Sequence, residues 1–166
     1  LKGWFFAILW SKEGTRKQRR HLPPCDERFS VPSAFLEDPM SYEYYNPNPC
    51  NRSVGDCTVR ALSKALGQTW EQTYVGLALE GFCRGDLPNA DSVWGPYLKR
   101  HGFRRYLIPD TCPDCYTVAD FTEEHPEGTF ILSMPGRHVV AVVDGTVWDS
   151  WDSSGEIPSY YWTKER

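Results

Sequence analysis

The stretch "HVVAVVDGTVWDSW" (138–151) leaves this chain little freedom. Runs rich in β-branched and aromatic residues flank Asp144-Gly145, the pair that two-residue type I′ turns prefer because both central residues need positive φ. That turn fixes a register: Val143 faces Thr146, Val142 faces Val147, Ala141 faces Trp148 and Val140 faces Asp149. Side chains alternate, so His138, Val140 and Val142 share a face with Val147, Asp149 and Trp151. Asp149 is then the diagonal neighbour of His138, within reach on the same side. Asp152 falls on the other face. Trp151 is expected opposite His138, where its ring can shield a His–Asp bond from water.

The same period continues around the hairpin. "FRRYLIP" (103–109), "TFILSM" (129–134) and "YYW" (160–162) read as further strands, and "TVADFTEEH" (117–125) as a short helix capped by Thr117. Upstream the period is helical. A first helix runs from about Asp56 to Leu66, with Val59, Leu62, Ala65 and Leu66 on one face and Gly67 after its end. A second opens at Thr69 with Gln72 completing a capping box, turns Tyr74, Leu77 and Ala78 inward, and stops at Gly81. A third covers roughly Ser92 to His101 and stops at Gly102, with Pro96 placed to start or kink it. Helices first and an antiparallel sheet afterwards make an α+β arrangement.

A chain of 166 residues is one domain on size grounds. "YNPNPCN" (45–51) is rich in turn residues and marks the start of the compact domain, expected over 46–166. Residues 1–45 read as a poorly ordered or loosely attached extension. It opens on Leu rather than Met, which suggests a fragment, a processed end or a fused piece. Its apolar run 3–10 is too short to span a membrane and lacks a signal-peptide layout. A net charge of −4 gives no overall footprint for nucleic acid, and the basic run "KEGTRKQRR" (12–20) reads as a solvated segment. The six cysteines, without a secretion signal, favour reduced thiols and a cytoplasmic setting.

Cys57 stands at the start of the first helix, where unpaired N–H groups and the positive dipole end favour a thiolate. A cysteine nucleophile needs a base, and the base needs a third group to orient it. His21 lies in the basic extension, while His101 and His125 close helices. His138 instead opens an apolar strand and has Asp149 beside it. Acyl transfer also needs an oxyanion stabiliser. The Cys57 N–H can supply one donor, and Asn51, six residues earlier, a second.

"NRSVGDC" before a helix, "GRHVVAV" opening a strand and "WDSWD" on the next resemble papain-like cysteine peptidases, broadly those of the bacteriocin-processing type. The resemblance covers 46–162 in the right order. It implies Cys57 as nucleophile, His138 as general base and acid, Asp149 as orienter and Asn51 as oxyanion donor. It implies a peptide or protein substrate and no cofactor. An Asn stands where that family typically has Gln, and the domain is small. The chain also resembles small proteins of phage and gut-bacterial origin. Other readings stay open: a papain-like binding module without activity, or an acyltransferase, since transglutaminases and arylamine acetyltransferases also run Cys, His, Asp. "CPDC" (112–115) has the spacing of half a zinc knuckle or of a redox pair.

Overall fold

The structure, a computed structural model, describes residues 41–109 and 114–164. In chain order the elements are β1 (Ser41–Tyr44), α1 (Cys57–Leu66), α2 (Trp70–Arg84), α3 (Asp91–Arg100), β2 (Phe103–Leu107), α4 (Val118–Glu124), β3 (Thr129–Met134), β4 (His138–Val143), β5 (Thr146–Asp149) and β6 (Tyr160–Lys164). This is an α+β chain with one mixed six-stranded sheet in the order β1-β5-β4-β3-β6-β2. The sheet is not purely antiparallel, as the sequence suggested: β1 pairs parallel with β5, Tyr44 opposite Asp149. Ser41–Tyr44 therefore belongs to the folded unit, which starts earlier than residue 46.

Alternation along the strands splits the core in two. Ile131, Val139, Ala141 and Trp162 point to one face, where they pack with Leu62 of α1, Leu77 of α2 and Trp94 of α3. Phe130, Leu132, Val140 and Val142 point to the other, against Val118 and Phe121 of α4. The central strands are buried on both faces, which explains their near-continuous apolar runs. Fully burying each of these larger side chains contributes ~1.5–3 kcal/mol, so the central strands form a rigid platform.

The β4–β5 hairpin has the predicted register, with Val143 opposite Thr146, Val142 opposite Val147 and Ala141 opposite Trp148. Both turn residues have positive φ, 49° at Asp144 and 69° at Gly145, as a type I′ turn requires. The strand ends at Asp149 rather than Trp151, because the Ser150 N–H turns back onto the Asp149 carboxylate at 2.7 Å.

Two helices differ from expectation. α2 has the capping box at Thr69 and Gln72, but it continues past Gly81 to Arg84 and ends at Gly85 with φ 66°. Gly81 is instead a close-approach position, where a Cβ would lie 2.6 Å from the Asp86 carbonyl oxygen. The inward face of α2 runs Thr73, Leu77, Gly81, so Tyr74 is exposed and stacks on Trp70 at 4.8 Å. α3 contains Pro96 without breaking. A proline there removes one bond, to the Ser92 carbonyl, and Ser92 is exposed. Among the described residues, no helix is long and apolar enough to cross a membrane.

Candidate active site

Three elements end at one place. β4 begins at His138 and its antiparallel neighbour β5 ends at Asp149, so both side chains leave the same end of the hairpin. α1 brings its first residue, Cys57, to that end. The half-buried Cys57 Sγ donates to the Arg137 carbonyl oxygen at 3.6 Å and lies beside His138, close enough to act on its titration. His138 Nε2 lies 2.5 Å from Asp149 Oδ2. With Nε2 spent on Asp149, Nδ1 is the ring nitrogen left for the thiol.

Asp149 is 2% exposed, and a carboxylate so deep is costly unless its oxygens are satisfied. They are. Oδ1 accepts from the Ser150 N–H at 2.7 Å and from Arg60 Nη2 at 3.3 Å. Oδ2 takes the His138 ring and, at 3.0 Å, the Ser153 hydroxyl. The Asp149 carbonyl is held by the Tyr45 N–H at 2.7 Å, on the β1 side. Backbone and side chain are thus fixed together, and so is the ring that Asp149 orients.

These contacts shift all three groups. Burial pushes the Cys57 thiol up, but the hydrogen bonds from His138 and the Val139 backbone, with the charges of His138 and Arg60, outweigh it and hold the thiol below its ordinary value. Burial pulls His138 down, but its bonds to Asp149 and Cys57 win and push it up to about 9. Burial raises Asp149, yet His138, Ser150 and Ser153 leave it below the usual carboxylate value. A thiolate facing an imidazolium is the arrangement these directions favour.

The signs give a pH dependence. His138 holds its proton more tightly folded than unfolded, so its contribution to stability is full below about pH 6.5 and is lost as pH rises through about 9. Asp149 acts oppositely, contributing above its ordinary 3.8 and losing that contribution as pH falls. Cys57, its thiol held low, gains stability as pH rises toward 9 and so offsets the His138 loss in that window. The midpoint of urea unfolding, followed from pH 3 to 10, should therefore fall at the acid end and stay nearly level from pH 7 to 9. Cys57→Ala should uncover an alkaline fall there, and adding His138→Ala should remove it; no alkaline fall in Cys57→Ala would contradict the His138 assignment.

Trp151 lies beyond the end of β5, but its ring is still 5.0 Å from that of His138 and covers one side of it. Asp152 faces elsewhere, with Oδ1 accepting from the Ser154 N–H at 3.0 Å and the Ser154 hydroxyl at 2.6 Å. Cys57, His138 and Asp149 are therefore brought together. Asn51 is not joined to them: among the described residues it has no hydrogen bond to any of the three. It sits exposed at φ 48° on the turn before α1, and its Oδ1 accepts from Asn46 Nδ2 at 3.1 Å.

The sequence reading missed Asp56, Arg60, Trp70 and Ser153. Asp56 and Arg60 are buried and paired, and Trp70 Nε1 donates to Asp56 Oδ2 at 2.8 Å. The i,i+4 spacing of Asp56 and Arg60 was the available signal, but nothing local says that such a pair is buried. His101 and His125 each bond a helix carbonyl through Nδ1, at 2.9 Å and 3.0 Å. His21, Cys25 and Cys112 lie outside the described residues, so "CPDC" is only half described. Cys50, Cys57, Cys83 and Cys115 are unbridged. Among the described residues, no group of three or more His, Cys, Asp or Glu side chains could hold a metal ion.

A hollow of about 380 Å³ lies against Arg137, the residue before His138, and none of Cys57, His138 and Asp149 lines it. The loop between α2 and α3 walls it with Asp86, Leu87, Asn89 and Ser92. Comparison with protein-family models, curated proteins and solved structures finds no match to this chain.

Proposed function

We propose that this chain is a thiol hydrolase, papain-like in the arrangement of its site, that cleaves a peptide or other amide bond through an acyl-enzyme. One observation carries the reading: the Cys57 thiol stands beside His138, whose ring bonds the buried Asp149 carboxylate. A merely packed cysteine has no need of a base, nor that base of a carboxylate satisfied on both oxygens.

In the proposed reaction the Cys57 thiolate attacks the substrate carbonyl carbon, forming a C–S bond and a tetrahedral oxyanion. The Cys57 N–H, which has no partner within its own helix, donates to that oxygen. The Asn51 Nδ2 is the proposed second donor, brought in by a turn of the side chain when substrate binds. Protonated His138 gives its Nδ1 proton to the leaving nitrogen as the C–N bond breaks. It then takes a proton from water as water attacks the thioester, and Cys57 leaves as thiolate. Assistance of this kind is typically worth about 10²–10⁴-fold. The hollow beside Arg137 offers space for one flank of a peptide or protein substrate. Thiolate chemistry suits a compartment that keeps thiols reduced.

The test is alkylation by iodoacetamide at pH 6.5, with each modified cysteine located by mass spectrometry. Cys57 is expected to react about tenfold faster than Cys50, Cys83 or Cys115, exposed though these are. His138→Ala should erase that advantage. Cys57 labelling no faster than the exposed thiols, or unaffected by His138→Ala, would leave a binding module as the better reading.

A further inference from the structure

Arg60 sits one helical turn beyond Cys57 and is buried, an expensive place for a guanidinium unless the fold uses it. Its neighbours are specific. Nη1 pairs with Asp56 and Nη2 reaches Asp149 Oδ1 at 3.3 Å, so one side chain joins the start of α1 to the end of β5. Asp56 is held in turn by Trp70 Nε1 at 2.8 Å, from the first residue of α2. Nε has no partner and Nη1 also approaches the Val54 carbonyl at 3.4 Å. The planar fork is therefore aimed along the two carboxylates rather than fully satisfied. A hydrophobic residue would fill this space without leaving a nitrogen unpaired.

We propose that Arg60 is a positioning residue for the thiol site: its two-pronged fork between Asp56 and Asp149 fixes the helix that carries Cys57 against the strand that carries Asp149, and its charge lies one helical turn from the thiol. This rests on the thiol-hydrolase reading. Arg60 does not touch the reacting atoms and acts through Asp149 and through its field. The charged groups around Cys57 are His138 from β4, Arg60 and Asp56 from α1 and its cap, and Asp149 from β5 behind His138. Of these, Arg60 is the cation on the helix that carries Cys57. Its charge is neutralised on one side by Asp56. Removing Asp56's charge should therefore strengthen its effect on Cys57, whereas removing Arg60's charge should abolish it.

The experiment measures the pH dependence of Cys57 alkylation by iodoacetamide in the whole chain, for the unaltered protein, Arg60→Met and Asp56→Asn. Circular dichroism checks that each is folded. Arg60→Met is expected to move the midpoint up by about one pH unit, roughly a tenfold loss of thiolate near pH 6. Asp56→Asn is expected to move it down. Opposite directions are the signature, because a purely structural role predicts loss of reactivity in both. An unmoved midpoint in Arg60→Met, or an upward move in Asp56→Asn, overturns the proposal. If Arg60→Met fails to fold, Asp56→Asn decides alone, with an unmoved or raised midpoint counting against it. A Cys57 that is unreactive in the unaltered protein would instead overturn the hydrolase reading, so the two failures are distinguishable.

Discussion

Cys57→Ala is expected to abolish acyl-enzyme formation. Offered an activated ester such as p-nitrophenyl acetate, the unaltered protein should show a burst of nitrophenol and one acetyl group on Cys57 by mass spectrometry. The variant should show neither, its turnover falling toward the uncatalysed rate by up to about 10⁶-fold where the nucleophile carries the reaction. Deleting one sulfur from a half-buried position has little other effect. Cys57 touches the Arg137 carbonyl and His138 but lies outside both apolar clusters. The melting temperature should therefore change by no more than a few degrees. A burst that persists, with acetyl on Cys50, Cys83 or Cys115, would move the chemistry away from the end of the hairpin.

The second large effect separates two aspartates three residues apart. Asp149→Ala should lower kcat/KM by about 10²–10⁴, the usual worth of assisted acid–base chemistry, because His138 loses the acceptor that fixes its ring. Stability should fall as well, since Arg60 and Ser153 lose a buried partner. Asp152→Ala should leave kcat/KM within about twofold. Among the described residues the hydrogen bonds of Asp152 go to the Ser154 turn, and surface substitutions of this kind usually move stability by ~0.5 kcal/mol or less. Equal losses in both variants would mean that the carboxylate acts through the integrity of the 149–154 turn rather than on His138.

The hairpin was legible because one dipeptide sets it. Asp144-Gly145 dictates positive φ twice, the turn dictates register, and register places Asp149 beside His138. Caps were legible for the same local reason: Thr69 with Gln72 and Thr117 with Asp120 both form capping boxes. What sequence could not supply was long-range. "SYEY" (41–44) is four residues with no clean alternation, and its partner lies about a hundred positions away, so nothing nearby marks it as a strand. Tyr74 was misplaced because α2 turns the small residues Thr73 and Gly81 inward beside Leu77; Gly76 approaches Tyr97 so closely that a Cβ would meet its hydroxyl at 2.6 Å. Arg60 was missed because a charged residue between Val59 and Leu62 reads as the edge of an amphipathic face. Only the arrival of Asp149 from β5 gives it a reason to be inside.

The parallel strand at the sheet's edge carries one more consequence, for anyone choosing where to begin a shortened version of this protein. β1 and the residue after it zip along β5 as far as Asp149, ending with the Tyr45 N–H on the Asp149 carbonyl. A version begun at residue 46 would strip that zipper away. β5 would then become the outermost strand, its unpaired amides free to recruit a second molecule. The carboxylate behind His138 would also hang from a backbone held on one side only. Such a shortened protein invites aggregation and a slack site together, and its silence in an assay would say nothing about Cys57.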